Sequence, residues 1–200
     1  MIRVNQLEPE LLLKCYKAGV FPMANSRDDK EIFFVDPEKR GIIPLNGLHI
    51  SKSLKKFIKK MNYKITINKS FNEVIKKCAE PSYSRGETWI SHDIERMYCE
   101  LHCYGNAHSI EVWESNNLVG GVYGLAIGGA FFGESMFSEE KNASKVALVK
   151  LVEQLAMKNF ILLDTQFLTK HLQSMGGIEI QRKEYHELLN NALNISTEFI

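Results

Sequence analysis

The sequence predicts an α+β, layered (α/β) fold built on a mixed sheet, and three observations carry that expectation. Four strand-like runs, residues 108–113, 118–127, 130–137 and 161–167, follow one another in the second half of the chain. A single helical stretch, 143–158, separates the last two, as a crossover between neighbouring strands would. A hydrophobic fraction of 44% with 24% charged residues supports a packed core and argues against disorder. At 200 residues the chain suits one domain, or a main domain with a small appendage.

The elements follow in order. Residues 9–18 read as a helix, with Pro9 at its start, Leu11, Leu12, Leu13 and Tyr16 inside, and Gly19 as its stop. Phe21-Pro22-Met23 reads as a turn and residues 25–30 as a polar loop. Ile32-Phe33-Phe34-Val35 is strand-like and ends at Asp36-Pro37. Ile42-Ile43-Pro44-Leu45 opens the larger unit, with Pro44 pointing to an edge or strand end. These signals divide the chain into a small N-terminal unit, 1–40, and a larger one, 41–200. A lysine-rich helix comes next, then an alternating strand at 63–67 and a helix at 71–79. Residues 81–86 form a loop, and a helix over 92–104 is closed by Gly105.

Charge is unevenly spread. The net charge is +1, yet residues 49–64 hold six lysines and no acid, so the remainder of the chain is acidic on balance. Lys52, Lys55, Lys56, Lys59 and Lys60 recur at helical spacing, with Leu54 and Ile58 turned inward. A solvated helix face and a contact with nucleic-acid phosphates both account for such a stripe. The first residues have neither the basic head nor the apolar run of a signal peptide, and no apolar stretch reaches membrane-spanning length. A cytoplasmic protein without membrane association is expected. Cys15, Cys78, Cys99 and Cys103 form no C-x-x-C pair and read as reduced thiols, so no metal is expected.

The densest information lies in residues 118–137, where Gly120, Gly121, Gly124, Gly128, Gly129 and Gly133 crowd an apolar run that also carries Glu134. Glycine in a strand marks a bulge or a close approach by a ligand or another backbone. A carboxylate there needs a compensating partner, and the same holds for Asp164. In extended strands alternate residues share a face. Asp164 and Gln166 are thus expected together, opposite Leu163 and Thr165; Phe132, Glu134 and Met136 are expected on one face, and Gly133, Ser135 and Phe137 on the other. Leu148, Leu151 and Leu155 make an apolar helical stripe facing these strands. The sum is an apolar pocket beside a polar reaction centre.

Familiar catalytic schemes are missing. Gly133-Glu134-Ser135-Met136-Phe137 lacks the second glycine of a nucleophile elbow, and no G-x-G dinucleotide loop or Walker loop occurs. His102, His108 and His171 are scattered and read as hydrogen-bonded structural residues. Chemistry by positioning and hydrogen bonding remains, centred on a carboxylate–amide pair.

Eight blocks, in order, resemble the leucyl/phenylalanyl-tRNA–protein transferases. They are Gly19-Val20-Phe21-Pro22-Met23, Leu48-His49-Ile50-Ser51-Lys52-Ser53-Leu54, Gly86-Glu87-Thr88-Trp89-Ile90, Ala107-His108-Ser109-Ile110-Glu111-Val112-Trp113, Leu118-Val119-Gly120-Gly121, Phe132-Gly133-Glu134-Ser135-Met136-Phe137, Asn142-Ala143-Ser144-Lys145 and Asp164-Thr165-Gln166. The resemblance runs from about Leu7 to Tyr185. It implies a GCN5-type acetyltransferase-like C-terminal domain and a small N-terminal α+β domain. It also implies transfer of Leu or Phe, and less readily Met, from aminoacyl-tRNA to proteins beginning with Arg or Lys, which tags them for N-end-rule degradation. The ester is already activated, so no cofactor is expected, and a monomer suffices.

Carried over block by block, Asp164 and Gln166 would orient the acceptor amine and relay its proton. Asp164 serves either as a base or as the group that orients Gln166. Glu134 would pair with the basic acceptor or hold that network. Val122, Phe131, Met136, Leu148, Leu151, Leu155 and Leu163 would form the pocket for the transferred side chain. Trp89 would pack on the terminal adenosine, and the lysine helix would meet acceptor-stem phosphates. Three features depart from the pattern. The chain starts without the longer extension many members carry; Met23 stands where a Trp often completes the adenosine sandwich; and Val35-Asp36-Pro37 replaces Trp-Ser-Pro. Two alternatives are an acyl-CoA N-acyltransferase of the same fold and a non-catalytic tRNA-binding module. The first requires a glycine-rich phosphate loop where this chain reads Asn142-Ala143-Ser144-Lys145.

Overall fold

Two sheets organise the computed structural model, which describes residues 3–4, 8–81 and 87–200. Residues 1–2 and 5–7, and all but Pro81 of the loop expected over 81–86, lie outside the described residues. The smaller sheet has the order β1-β3-β2, from Arg3–Val4, Phe21–Met23 (β2) and Ile32–Val35 (β3). The residues 21–23 expected as a turn therefore form a strand. Pro22 cannot donate to a ladder, and β2 escapes that demand by sitting at the sheet edge beside β3. Helix α1, Pro9–Lys17, begins with its proline where the missing N–H is harmless.

The larger sheet has seven strands in the order β10-β4-β9-β8-β7-β6-β5. These are β4 (Lys39–Ile42), β5 (Tyr63–Ile67), β6 (Ala107–Glu114), β7 (Asn117–Ile127), β8 (Ala130–Ser138), β9 (Leu162–Gln166) and β10 (Ile178–Gln181). β8 and β9 are parallel, joined by the crossover helix α5 (Ala143–Met157), and the other pairs are antiparallel. The sheet is mixed, as the order of elements predicts. β4 starts earlier than the strand expected from Ile42, because the polar residues Lys39, Arg40 and Gly41 themselves enter the sheet. Gly41 is required there: a Cβ would lie 2.8 Å from the backbone of Leu168 and 2.9 Å from that of Phe167.

Each face of the large sheet buries its own core. One holds α1, α3 (Phe71–Ala79), α4 (His92–Cys103) and α7 (Arg182–Leu193), through residues such as Tyr16, Val74, Tyr98, Phe132 and Tyr185. The other holds α5 and α2 (Lys52–Lys60), through Leu54, Val146, Leu148, Leu151 and Leu163. The short helix α6, Lys170–Ser174, adds Leu172 to that second face.

A bulge in β8 overturns the expected alternation. Tyr123 pairs with Ser135 and Gly124 with Gly133, so Glu134 is the extra residue. One inserted residue reverses the facing of everything beyond it. Phe132 and Phe137 consequently share one core, and Phe131 and Met136 the other. Most of the glycine cluster serves close packing rather than a cavity. A Cβ on Gly120 would lie 2.5 Å from the Ala143 Cβ, so Gly120 lets the start of α5 press onto β7.

Candidate active site

A cavity of about 300 Å³ opens where β7, β8 and β9 meet α5 and the edge strand β2. Its apolar half is made by Val122, Met136, Leu148, Leu151, Leu163 and Leu172. Of the sequence-expected pocket residues, Phe131 and Leu155 do not reach this wall. They are fully buried behind it, where Phe131 packs on Phe199 with ring centroids 5.2 Å apart. Pro22, Met23, Trp89 and the exposed Phe167 line the other side.

The bulge delivers Glu134 to the cavity wall, where it is the one acid among the described lining residues. Its Oε1 accepts from the Tyr16 hydroxyl at 2.7 Å and from Gln166 Nε2 at 3.2 Å. The Tyr98 hydroxyl is hydrogen-bonded to that of Tyr16. Protein surrounds the carboxylate densely on every side but the cavity. Burial therefore pushes its pKa up to about 8, against the lowering pull of the two tyrosine hydroxyls. The same burial raises Tyr16 and Tyr98 well above the ordinary tyrosine range, so both remain neutral donors.

Asp164 lies one residue beyond Leu163 on β9 and faces the opposite core, away from the cavity walls. It is 0% exposed, and four donors occupy its two oxygens. Arg40 makes a fork, Nε to Oδ1 at 2.9 Å and Nη2 to Oδ2 at 2.7 Å. Tyr185 donates to Oδ2 at 2.8 Å, and the backbone N–H of Gln166 to Oδ1 at 2.9 Å. Arg40 is itself only 1% exposed, donates to the Gly19 carbonyl at 2.8 Å, and lies over the rings of Phe21 and Tyr185. A carboxylate that accepts four bonds has its lone-pair sites filled.

Asp164 and Gln166 thus do not project together. Gln166 sits at φ 57°, a left-handed conformation unusual for glutamine, held by the bond from its N–H to Asp164. The twist turns its side chain to the cavity and to Glu134. Thr165 and His171 line the same cavity, and the buried atoms Thr165 Oγ1 and His171 Nε2 have no partner among the described residues. His171 therefore departs from the expected satisfied structural histidine, whereas His102 and His108 fit it: His102 bonds the Ala107 carbonyl and His108 bonds Asn68. Burial, with Lys145 nearby, lowers the His171 pKa. Sequence reasoning did not place Arg40, Tyr16, Tyr98 or Tyr185 at the site. Buried charge and hydroxyl partners declare themselves only when the chain is folded.

All five lysines of α2 are exposed and make no ion pair among the described residues. Ser51 caps the helix, accepting from the Leu54 N–H at 3.2 Å. The first backbone donors of α5, which would have to hold a pyrophosphate, are already engaged. Its Ala143 N–H is bonded to the Glu140 carbonyl at 3.1 Å and its Ser144 N–H to Ser138 Oγ at 3.1 Å. No helix among the described residues is long and apolar enough to cross a membrane.

An apolar side-chain pocket opening on an amide and a carboxylate suits acyl transfer between two held reactants, the chemistry of a transferase. Comparison with known proteins narrows it. The model of the leucyl/phenylalanyl-tRNA protein transferase family matches residues 42–190, and that of the family's N-terminal domain matches residues 5–38. A leucyl/phenylalanyl-tRNA–protein transferase of Rhodospirillum rubrum is 51% identical over 96% of this chain and 91% of its own. One from Cereibacter sphaeroides is 52% identical over 96% and 88%. The chain belongs to the leucyl/phenylalanyl-tRNA–protein transferase family, and is an aminoacyltransferase. Among solved structures, a functionally unknown conserved protein from Staphylococcus epidermidis matches with TM-score 0.46 at 12% identity, over 90% of this chain and 67% of that one. That likeness is too distant to bear on function.

Proposed function

We propose that this chain transfers Leu or Phe, and less readily Met, from aminoacyl-tRNA to the α-amine of cytoplasmic proteins beginning with Arg or Lys, marking them for N-end-rule degradation. The observation that carries the reading is the placement of Glu134, the acid that reaches a cavity otherwise shaped for an apolar side chain. The donor side chain enters between Leu148, Leu151, Met136 and Val122. The acceptor amine meets Gln166, whose amide N–H is engaged by Glu134 and whose carbonyl is left to accept from the amine. The amine attacks the ester carbonyl, a C–N bond forms and the C–O bond to the ribose breaks. The amine proton passes to Glu134 and on to the departing ribose oxygen. A carboxylate with a pKa near 8 is matched to an α-amine of about 7.7–8.0, so the proton moves with little uphill work.

Asp164 acts through Gln166 as a positioning residue, since its own oxygens are filled. A cationic acceptor residue beside Glu134 lowers its pKa and so favours the ionised, proton-accepting form. Trp89 and Met23 flank the terminal adenosine, and Lys52, Lys55, Lys56, Lys59 and Lys60 hold phosphates without reading sequence. A monomer suffices for this reaction. The test is transfer of labelled leucine from leucyl-tRNA to peptides differing only in their first residue. Peptides beginning with Arg or Lys should be labelled and those beginning with Asp or Glu should not. Equal labelling would overturn the acceptor reading, and no labelling from leucyl-tRNA would overturn the donor reading.

A further inference from the structure

We infer that Phe167 is a stacking surface for the terminal base of the donor, supplying the aromatic face that Met23 does not; the inference rests on the aminoacyl-tRNA reading above. Phe167 is 46% exposed and lines the cavity, whereas the other large exposed apolar residues, such as Tyr104, Met157 and Ile178, do not. Its direction has a local cause. Neighbouring residues of an extended strand face opposite ways, yet Gln166 and Phe167 both reach this cavity, because the chain bends at the left-handed Gln166. The ring is also braced: Phe21 meets it edge-on, with centroids 5.5 Å apart, and Phe21 is in turn backed by the Arg40 guanidinium.

Phe167, Phe21, Met23 and Trp89 form one wall of the opening. Phe21 and Met23 lie two apart on β2, and the Ala24 N–H donates to the Trp89 carbonyl at 3.1 Å, tying the tryptophan segment to the same strand. Their side chains carry no charge. A neutral planar ligand suits such a wall, because every base offers a π face and stacking does not depend on its sequence. The cationic acceptor residue is drawn instead to Glu134.

The test uses a non-hydrolysable donor mimic, phenylalanine joined by an amide to 3′-amino-3′-deoxyadenosine, and phenylalanine methyl ester as the mimic lacking a base. Binding of each is measured calorimetrically on wild-type protein, Phe167→Ala, Phe167→Leu and Phe167→Trp. Phe167→Ala should weaken the adenosine mimic roughly 5- to 150-fold, the range that a lost base–aromatic stack represents. Phe167→Leu, which keeps apolar bulk without a ring, should also weaken it, and Phe167→Trp should match or exceed wild type. The methyl ester should bind all four alike, and the KM for an Arg-initiated peptide should not move. Unchanged affinity of Phe167→Ala or Phe167→Leu for the adenosine mimic overturns the inference. So does an equal loss for the methyl ester, or a loss confined to the peptide KM. Failure of the wild type to bind the adenosine mimic would instead bring down the donor reading, and the inference with it.

Discussion

Glu134 and Asp164 are two carboxylates joined through one glutamine, and the fold treats them in opposite ways. Asp164 is sealed, paired with Arg40 and bonded by Tyr185 and the Gln166 backbone. Glu134 has only neutral donors around it and one side open to the cavity. A compensated charge can hold a backbone in a strained shape for as long as the protein stays folded. An under-compensated charge is raised to a pKa near 8 and exchanges its proton in the range where amines do. In the proposed reaction, that difference separates a residue that holds the site in shape from one that handles the proton.

The largest effect should come from unbalancing the sealed pair. Arg40→Met leaves the Asp164 carboxylate buried without a counter-charge and should lower stability by about 3–5 kcal/mol, seen as a shifted denaturation midpoint. Adding Asp164→Leu should recover much of that loss, because the double variant buries no unpaired charge. Simple additivity of the two would break the comparison.

Next come the rates. Glu134→Gln should slow transfer on the order of a hundredfold as the proton acceptor is lost, and Asp164→Asn should slow it by misplacing Gln166, with donor affinity largely kept in both. Their pH profiles should differ. Asp164→Asn should retain a rising limb that includes Glu134, while Glu134→Gln should show only the limb of the acceptor amine. Identical profiles would mean that Glu134 is not the proton acceptor.

A smaller effect concerns the apolar half. Val122→Phe narrows a wall residue and should penalise Phe more than Leu as the transferred residue, by about 1–3 kcal/mol in kcat/KM. Equal loss for both would place the donor side chain elsewhere. Smallest at low salt and saturating donor is the lysine face. Replacing Lys55, Lys56, Lys59 and Lys60 by Gln should flatten the dependence of log affinity on log salt by about 0.7–0.9 per lost phosphate contact. Leucyl- and phenylalanyl-tRNA should weaken equally, and an unchanged slope would leave the lysines as a solvated helix face.

Periodicity made the major helices and central strands legible in sequence: the run 63–67 is a strand and 71–79 a helix as the pattern predicts. Two things were hidden. Lys39-Arg40-Gly41 has no strand pattern, since Arg40 enters the core only because Asp164, far along the chain, neutralises it. The bulge at Glu134 is equally silent, because strict alternation assumes that no residue is inserted. Missing the bulge put Phe132 and Met136 on one face, and missing Arg40 left Asp164 projecting with Gln166. The polar residues near the cavity could be picked out in the sequence, but which of them face it depends on long-range partners.

Stability should carry the mark of the open carboxylate. The Glu134 pKa is raised in the folded state, from an ordinary 4.5 to about 8, so the folded protein holds a proton that the unfolded chain releases. Its contribution is full at low pH and declines as pH rises across that window, by up to about 1.4 kcal/mol per pH unit, and Glu134→Gln should remove that slope.

The most direct measurement is a carbon-13 NMR titration of the Glu134 side-chain carboxyl between pH 4 and 10, with and without an Arg-initiated peptide. The account predicts a midpoint near pH 8 in the free protein that moves down when the cationic peptide binds. A midpoint in the ordinary carboxylate range, or one that the peptide leaves in place, would contradict it.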